Sequence, residues 1–133
     1  MADAVNSQIL SDGLSQAVMK FNNVSDGTGE SAVLKVDVTA LAANQNGKAC
    51  SGVTIRRIHA SVNGMSVNIL WDATTDVSAF VVGSGVYSFD LSTAPLWNNA
   101  AASGKTGNVL FTTIGASSGD TYSIILEMIK TYG

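Results

Sequence analysis

The sequence predicts an all-β protein, an antiparallel β-sandwich of about eight strands for which a jelly roll is the natural closure. Short segments alternate apolar and polar residues with the period of two that is typical of half-buried strands. Turn-forming residues separate these segments at intervals of about eight to twelve positions. No segment has the periodicity of a helix, so a sandwich or a barrel is favoured over any helical fold.

The chain of 133 residues is long enough for one hydrophobic core and too short for a second. Residues 1–15 are polar with scattered apolar side chains, which fits an N-terminal arm, either extended or forming a first edge strand. Residues 16–133 are predicted to form a single β-sandwich domain. This part of the sequence contains no internal repeat and no domain linker.

The first two strands of the domain are predicted at 17–21 and 33–38, because apolar residues alternate along both segments. The segment between them, N-N-V-S-D-G-T-G-E-S, has the composition of a loop. One helical turn could form over 39–44 before Asn46 and Gly47 close it. The remainder of this connection is interpreted as a loop.

Residues 53–71 are predicted to form the central antiparallel hairpin of the fold. Asn63 and Gly64 lie between two apolar runs, and this pair is the strongest local signal for a two-residue type I′ turn. The apolar face of the first strand changes in mid-strand. Such a change predicts a β-bulge at Arg56-Arg57.

Four further strands complete the predicted sandwich, each bounded by turn-forming residues. They lie at 79–82, 86–91, 107–114 and 121–132. Residues 92–106 contain the only proline and show no periodicity, which predicts an extended surface loop. We expect Leu96 and Trp97 to pack downwards and anchor this loop.

Charged residues make up 13% of the chain, compared with about 25% in a typical soluble domain, and the formal net charge is -3. An acidic chain with dispersed Lys and Arg is poorly suited to bind nucleic acid or an anionic membrane surface. The low charge suggests that other chains cover much of the surface, although a solvated face of Ser, Thr and Asn explains it equally well. The first residues lack the pattern of a secretory signal, which predicts synthesis in the cytoplasm.

The sequence offers no set of residues that meets the requirements of a catalytic site. Gly115 to Gly119 matches G-x-S-x-G, but a nucleophile elbow needs a following helix and a histidine after the serine. A strand is predicted to follow Ser117, and the only histidine, His59, lies upstream in another strand. The single cysteine, Cys50, excludes an intramolecular disulfide and a cysteine metal site. We therefore expect no enzymatic activity and no cofactor.

Two other features leave alternatives open. Asp26 to Glu30 places two carboxylates around glycines, which suits either a calcium loop or a glycine-rich turn. Four aromatic residues could form a platform for a sugar, although the period of two around the first of them favours the core. These residues are Trp71, Trp97, Tyr87 and Tyr122.

Three stretches give the chain a resemblance to a known class of proteins. They are S-D-G-T-G-E-S-A-V-L-K-V-D-V at 25–38, I-L-W-D-A-T-T-D at 69–76 and G-D-T-Y-S-I-I-L-E-M-I-K at 119–130. Together with the chain length, the low charge and the short strands, they resemble small virion structural proteins of tailed bacteriophages. Among these, capsid decoration (cement) proteins form trimers on the shell and brace neighbouring major capsid subunits, whereas others are neck or tail proteins.

The resemblance implies a non-enzymatic protein on the capsid surface of a virion, with the major capsid protein and further copies of itself, as a homotrimer, as partners. No nucleic acid and no membrane is expected as a partner. The arm and the loop at 92–106 suit contact with the shell. The predicted contact residues are Asp3, Val5, Ile9, Leu10, Leu96, Trp97, Asn98, Asn99 and Lys105. A carbohydrate-binding β-sandwich for host recognition is the alternative from another functional class.

Overall fold

The computed structural model describes residues 4–13, 15–43, 45–91, 93, 95–96 and 106–132. These residues form nine strands and a short 3-10 turn at Val38–Ala40. The strands are β1 (Ala4–Asp12), β2 (Gln16–Val24), β3 (Val33–Val36), β4 (Cys50–Asn63), β5 (Ser66–Trp71), β6 (Val77–Val82), β7 (Gly85–Asp90), β8 (Val109–Ile114) and β9 (Thr121–Tyr132). No helix in this part of the chain has the length and hydropathy that a membrane span requires.

The strands form two antiparallel sheets. The five-stranded sheet has the order β1-β2-β9-β4-β7, and the four-stranded sheet has the order β3-β8-β5-β6. Among the described strands, β1–β2 and β5–β6 are hairpins, and each of the other connections crosses from one sheet to the other. With β1 set aside, eight strands connected in this way form the double Greek key of a jelly roll. The predicted all-β sandwich is confirmed, and β1 adds a ninth strand at one edge.

The core lies between the sheets and is formed by alternate residues of the strands. Every second residue of β9 from Tyr122 to Met128 is buried. Two edge-to-face ring contacts connect the sheets, with centroids 5.2 Å apart for Phe21 and Phe111 and 5.8 Å apart for Phe111 and Tyr122. Cys50 is buried at the start of β4. The inward-facing side chains therefore follow the period of two from which the strands were predicted.

The predicted central hairpin is wrong. β4 pairs with β9 and β7, whereas β5 pairs with β8 and β6, so the two strands lie in different sheets. Gly64 has a φ of 82°, but Asn63 does not share the positive φ that a type I′ turn needs at both positions. Met65 follows and is buried. The Asn-Gly pair makes a corner between sheets, and alternating apolar runs on both sides are equally compatible with either arrangement.

The predicted β-bulge in β4 is confirmed. The register with β9 shifts between Ile55 and Arg57, which leaves Arg56 as the extra residue. Ile55 and Ile58 are both fully buried although they are three positions apart. After the bulge, Arg57 and His59 face outwards from the five-stranded sheet, where they contact side chains of the neighbouring strands.

The strand predicted at 33–38 ends at Val36. A 3-10 turn follows at once, because Asp37 Oδ1 accepts a hydrogen bond from the backbone N–H of Thr39 at 3.0 Å and caps the turn. The helical turn considered at 39–44 is therefore a 3-10 turn that begins one residue earlier and ends at Ala40. The N-terminal segment, expected as an extended arm or a first edge strand, contains β1, which is paired with β2 along its length.

Candidate interaction surfaces

β1 extends the five-stranded sheet beyond the opposing sheet. Val5 is paired with Asn23 of β2, and Asn23 is buried on the core side. Ile9 is likewise paired with the buried Met19, so the side chains of Val5 and Ile9 also point to the core side. They are nevertheless 51% and 43% exposed, because the fifth strand has no counterpart in the four-stranded sheet. We call Val5, Ser7 and Ile9 the β1 shelf.

A buried lysine fixes the C-terminal end of β1. The side chain of Lys130 has no exposed surface and forms an ion pair with Asp12. Its ammonium group also donates to the carbonyl oxygens of Gly13 at 2.7 Å and Ala42 at 3.1 Å. Asp12 in turn accepts a hydrogen bond from the backbone N–H of Ala42 at 2.8 Å. The three donors of the ammonium group thus have three partners, and β1 is attached to the body of the fold.

The structure describes four of the predicted contact residues. Val5, Ile9 and Leu10 are exposed on β1. Leu96 is half-buried against the core, and its backbone pairs with Ile55 through hydrogen bonds of 2.8 and 2.9 Å. Leu96 therefore packs against the core as expected, and its contact with a partner stays a prediction. The predicted contacts Asp3, Trp97, Asn98, Asn99 and Lys105 lie outside the described residues.

The outer face of the four-stranded sheet is uncharged. Lys35 is the one charged residue in its four described strands, and this side chain is buried in the core. Three apolar side chains on the outer face each expose about half of their surface. They are Leu34 (48%), Val81 (52%) and Ile114 (51%). Asn68 lies between them and accepts a hydrogen bond from Ser78 at 2.6 Å. We call this surface the neutral face.

The outer face of the five-stranded sheet carries an open groove of about 590 Å³, which we call the outer groove. Two neighbouring rows of outward-facing side chains, set by the pairing of β2, β9, β4 and β7, line it. The first row is Lys20, Ile125, His59 and Ser88, and the second row is Asn22, Ser123, Ser61 and Val86. The short serine side chains at the centre of the second row leave space between the longer side chains around them.

His59 is hydrogen-bonded through both nitrogens of its ring. Nε2 lies 2.8 Å from Glu127 Oε2 on β9, and Nδ1 lies 3.0 Å from Ser88 Oγ on β7. Arg57 lies 3.4 Å from Glu127 Oε1 and 3.5 Å from Asp90 Oδ1. These contacts join three adjacent strands, and cross-strand pairs of this kind contribute roughly 0.2–1 kcal/mol each.

Glu127 is the acidic centre of this cluster. The hydrogen bond from His59 is the largest effect on the carboxyl group and lowers the pKa of Glu127 below its usual value. Burial acts in the opposite direction, while the charge and the hydrogen bond of Arg57 lower the pKa further. Glu127 is therefore ionised at neutral pH and accepts hydrogen bonds from both neighbours.

Ser88, His59 and Glu127 have the residue types of a hydrolytic triad but not its setting. Hydrolysis needs donors for an oxyanion and a site that excludes water. The cluster lies on an open sheet face with His59 41% exposed, and both β4 and β9 are paired with a strand on each side. Ser117 of the G-x-S-x-G motif lies in the turn before β9, where its N–H donates to Asp120 Oδ2 at 2.8 Å. We interpret the cluster as a set of cross-strand contacts that connects β9, β4 and β7.

The acidic segment at 26–30 is a turn whose second carboxylate enters the core. Glu30 Oε1 accepts hydrogen bonds from Asn23 at 3.0 Å and from the Tyr122 hydroxyl at 2.6 Å. Its Oε2 lies 2.5 Å from the ammonium group of Lys35, and both side chains are at most 5% exposed. Glu30 is therefore the counter-ion of a buried lysine, which favours the turn over a calcium loop. The described residues contain no cluster of three or more His, Cys, Asp or Glu that could hold a metal ion.

The aromatic residues divide between the core and one edge. Trp71 and Tyr122 are buried, which confirms the core interpretation for these two. Tyr87 is partly exposed on β7 and stacks on Phe89 with centroids 5.4 Å apart. Trp97 lies outside the described residues. The described members of the set do not form a common platform for a sugar.

The sequence identified His59 but not its partners. Glu127 and Ser88 lie 68 and 29 positions away from it in the chain, and strand pairing alone brings them together. The bulge in β4 places Arg57 and His59 together on the outer face. The order of the strands, which decides what stands beside them, has no local signal.

The chain matches no protein-family model and no curated protein. Three surfaces of the molecule carry functional information. The β1 shelf offers an uncovered strand, the neutral face offers apolar side chains without charge, and the outer groove offers hydrogen-bonding groups beside apolar surface. The first two suit contact with other protein chains, and the third suits a polar ligand.

Proposed function

We propose that this chain is a non-enzymatic structural protein of a tailed-bacteriophage virion, a decoration protein that binds the outside of the shell and braces neighbouring major capsid subunits. The neutral face is the observation that carries this proposal. Exposed apolar side chains grouped on one surface are typical of protein contact sites. Here they occupy the outer face of a sheet whose described strands present no charged group to solvent.

A contact of this kind needs no reactive group. Burying Leu34, Val81 and Ile114 against the shell removes apolar surface from water, which stabilises the complex by about 25 cal/mol per Å². A protein that binds assembled shell and not free subunits stabilises the shell by mass action. Repetition on a symmetric lattice adds avidity to each weak contact.

The fold is compatible with this role. Jelly rolls occur in viral capsid domains and in lectins, which is an analogy at the level of fold and assigns no function by itself. The low content of charged residues, 13% of the chain, suits a protein with extensive contact surfaces, because the cores of protein interfaces are depleted in charge. The resemblance to small virion proteins suggests the major capsid protein as the partner, and the neutral face is the surface that we expect to contact it.

Binding of the purified chain to shells that lack it tests the proposal. We expect the wild type to co-sediment with shells and to raise the temperature at which they disassemble. The double variant Val81→Lys and Ile114→Lys should lose binding, because an ammonium group buried without a partner is strongly unfavourable. The matched control, Ser61→Lys with Thr131→Lys, adds the same charges to the opposite outer face at two exposed positions that are not paired with each other, and should bind normally. Undiminished binding by the first variant would contradict the role of the neutral face.

The copy number of the chain in purified particles separates the decoration role from the other virion roles. Quantitative mass spectrometry should find a number comparable with that of the major capsid protein. A number that matches one ring of subunits would instead assign the chain to the neck or the tail. Absence from particles would contradict every virion role.

Carbohydrate binding is a second candidate function, and the outer groove favours it. Asn22, Ser61 and Ser123 present a carboxamide and two hydroxyl groups that could hydrogen-bond to sugar hydroxyls, beside the apolar Ile125. Asn22→Ala should then weaken binding to an immobilised glycan and leave shell binding unchanged. If the wild type binds no glycan of the host surface, this second function is eliminated.

A further inference from the structure

We propose that two copies of this chain pair through their β1 strands, antiparallel and with the two-fold axis at Ser7, so that their five-stranded sheets join into one continuous sheet. The inference concerns assembly of the chain with itself, and it does not depend on the proposed function. It follows from the free edge of β1, from the order of its side chains and from the way the strand is anchored.

The free edge of β1 is long, regular and uncharged. Within the part of the chain that the structure describes, the strand is paired on one side only, with β2, and it contains no charged residue from Ala4 to Ser11. All residues from Val5 to Ser11 are exposed. The register with β2 is unbroken up to Ile9. Edge strands with these properties present unpaired N–H and C=O groups and pair readily with another strand.

The side chains of β1 are self-complementary about Ser7. Antiparallel pairing centred there places the two Ser7 residues opposite each other. Asn6 then faces Gln8 of the second copy, and Gln8 faces Asn6, so that amides meet amides. Val5 and Ile9 face each other in the same reciprocal way, and both are β-branched and apolar. A two-fold interface requires this self-complementarity, and the pairing brings no like charges together.

The pairing also sorts these side chains onto two faces. Val5, Ser7 and Ile9 form the β1 shelf on the core side, so the shelves of the two copies merge into one apolar strip. Directly opposed residues have Cβ atoms about 4.5–5.5 Å apart, which brings the exposed Val5 and Ile9 side chains into contact. Asn6 and Gln8 lie on the solvent side, where amides remain hydrated until they pair.

β1 is held in the conformation that pairing needs. The ladder with β2 fixes its backbone, and the ion pair between Lys130 and Asp12 fixes its C-terminal end. A strand ordered before association loses little conformational entropy when it pairs. The N-terminal segment is therefore a rigid edge available for pairing.

A second copy of this chain fits the edge better than an unrelated strand. The reciprocal order Val, Asn, Ser, Gln, Ile has a use when the strand meets itself, whereas a foreign strand requires no such symmetry. Two-fold pairing also consumes the free edge of both copies, so assembly through β1 stops at two. The trimer implied by the resemblance would need β1 to meet a different surface of its neighbour.

Native mass spectrometry of the purified full chain tests the pairing, and we expect a dimer. Ser7→Lys places two ammonium groups opposite each other at the axis and should convert the dimer to a monomer. Because Ser7 is exposed, the circular dichroism spectrum should not change. A wild-type monomer, a wild-type trimer, or a dimer that persists in Ser7→Lys would each overturn the proposal.

Disulfide trapping tests the register. Opposed residues of an antiparallel pair have Cα atoms about 4.5–5.5 Å apart, within the range that a disulfide spans, so Ser7→Cys should give a covalent dimer on oxidation. Val5→Cys is the matched control, because its two cysteines are displaced by four residues, about 13 Å along the strand, and should not cross-link. The wild type, whose Cys50 is buried, measures the background. Cross-linking of Val5→Cys without cross-linking of Ser7→Cys would contradict the register.

Discussion

The two edges of the five-stranded sheet are built differently. β7 is six residues long and ends in Asp90, which pairs with Arg57 at 3.5 Å. Its inner side is covered by the other sheet, where Phe89 lies 4.9 Å from the ring of Phe80. β1 is nine residues long, uncharged up to Ser11 and uncovered on its inner side. The same sheet therefore has one protected edge and one open edge.

A protected edge such as β7 serves the fold itself, whereas an open edge such as β1 suggests a role in binding. Natural sheets protect their edges with short strands, charges or a covering element, because an open edge pairs with other chains. β7 is short, ends in a charged residue and has its inner face covered. β1 has no charge and no cover over residues 5–9, and its one bulge lies at Leu10. Because the protection is available in this fold and is absent from β1, the open edge is best explained by a partner.

Loss of the ion pair between Lys130 and Asp12, which anchors β1, should change the difference between the two edges most. Lys130→Met removes the ammonium group and leaves Asp12 and two carbonyl oxygens without their partner. We expect the free energy of unfolding to fall by about 3 kcal/mol, since breaking a buried ion pair leaves an uncompensated charge. Hydrogen exchange should accelerate along β1 and stay slow along β7. Urea denaturation and exchange mass spectrometry measure the two effects.

Lys20→Met provides the matched control for this change. Lys20 lies on the outer face of β2, and the substitution should alter the free energy of unfolding by less than about 0.5 kcal/mol. If Lys130→Met leaves exchange along β1 unchanged, the ion pair is not the anchor of this edge. If exchange accelerates equally along β7, the two edges are not independent.

Opening the protected edge should have the next largest effect. Phe89→Ala removes the ring that packs between Phe80 and Tyr87, and we expect a loss of about 2 kcal/mol because Phe89 is partly buried. With this cover gone, β7 should become a second open edge, and the chain should associate beyond its wild-type state. Urea denaturation and light scattering measure these effects. Phe89→Leu keeps most of the packing and should change both much less.

The sequence predicts the strands of this fold well but not their arrangement. The period of two identifies which side chains are buried, and it located the bulge at Arg56. It contains no information on which sheet a strand joins, and for that reason the corner at Asn63 and Gly64 was predicted as a hairpin. Sheet membership is decided by contacts between residues far apart in the chain.

The local sequence also does not predict which surfaces of the strands are exposed. Val5 and Ile9 alternate along β1 as core residues do, and nothing local shows that their side of the strand is uncovered. Their exposure follows from five strands facing four, a property of the whole sandwich. The prediction that the N-terminal segment carries contact residues remains a prediction, but the structure places three of them, Val5, Ile9 and Leu10, on an exposed edge.

Loss of the cluster formed by Arg57, His59 and Glu127 beside β7 should have the smallest effect on stability. The direction of its pH dependence follows from the pKa of Glu127. The folded-state pKa of Glu127 lies below its usual value of about 4.3, so the cluster contributes its full stabilisation above that pH. The contribution is lost as the pH falls through the folded-state pKa. Glu127→Gln should therefore be less stable than the wild type at pH 7, by less than about 1 kcal/mol, and the difference should shrink under acidic conditions.

Urea denaturation of the wild type and of Glu127→Gln across this pH range measures the effect. A difference that keeps its size at low pH would mean that Glu127 stabilises the sheet through packing and not through its charge. Hydrogen exchange measured over the same pH series compares the stability of the β1 edge with that of the β7 edge. Acid should weaken the contacts of His59 and Arg57 with Glu127, so protection along the neighbouring β7 should decrease. The pairing edge of β1 has no charged residue between Ala4 and Ser11, so acid should not change that part of the interface directly.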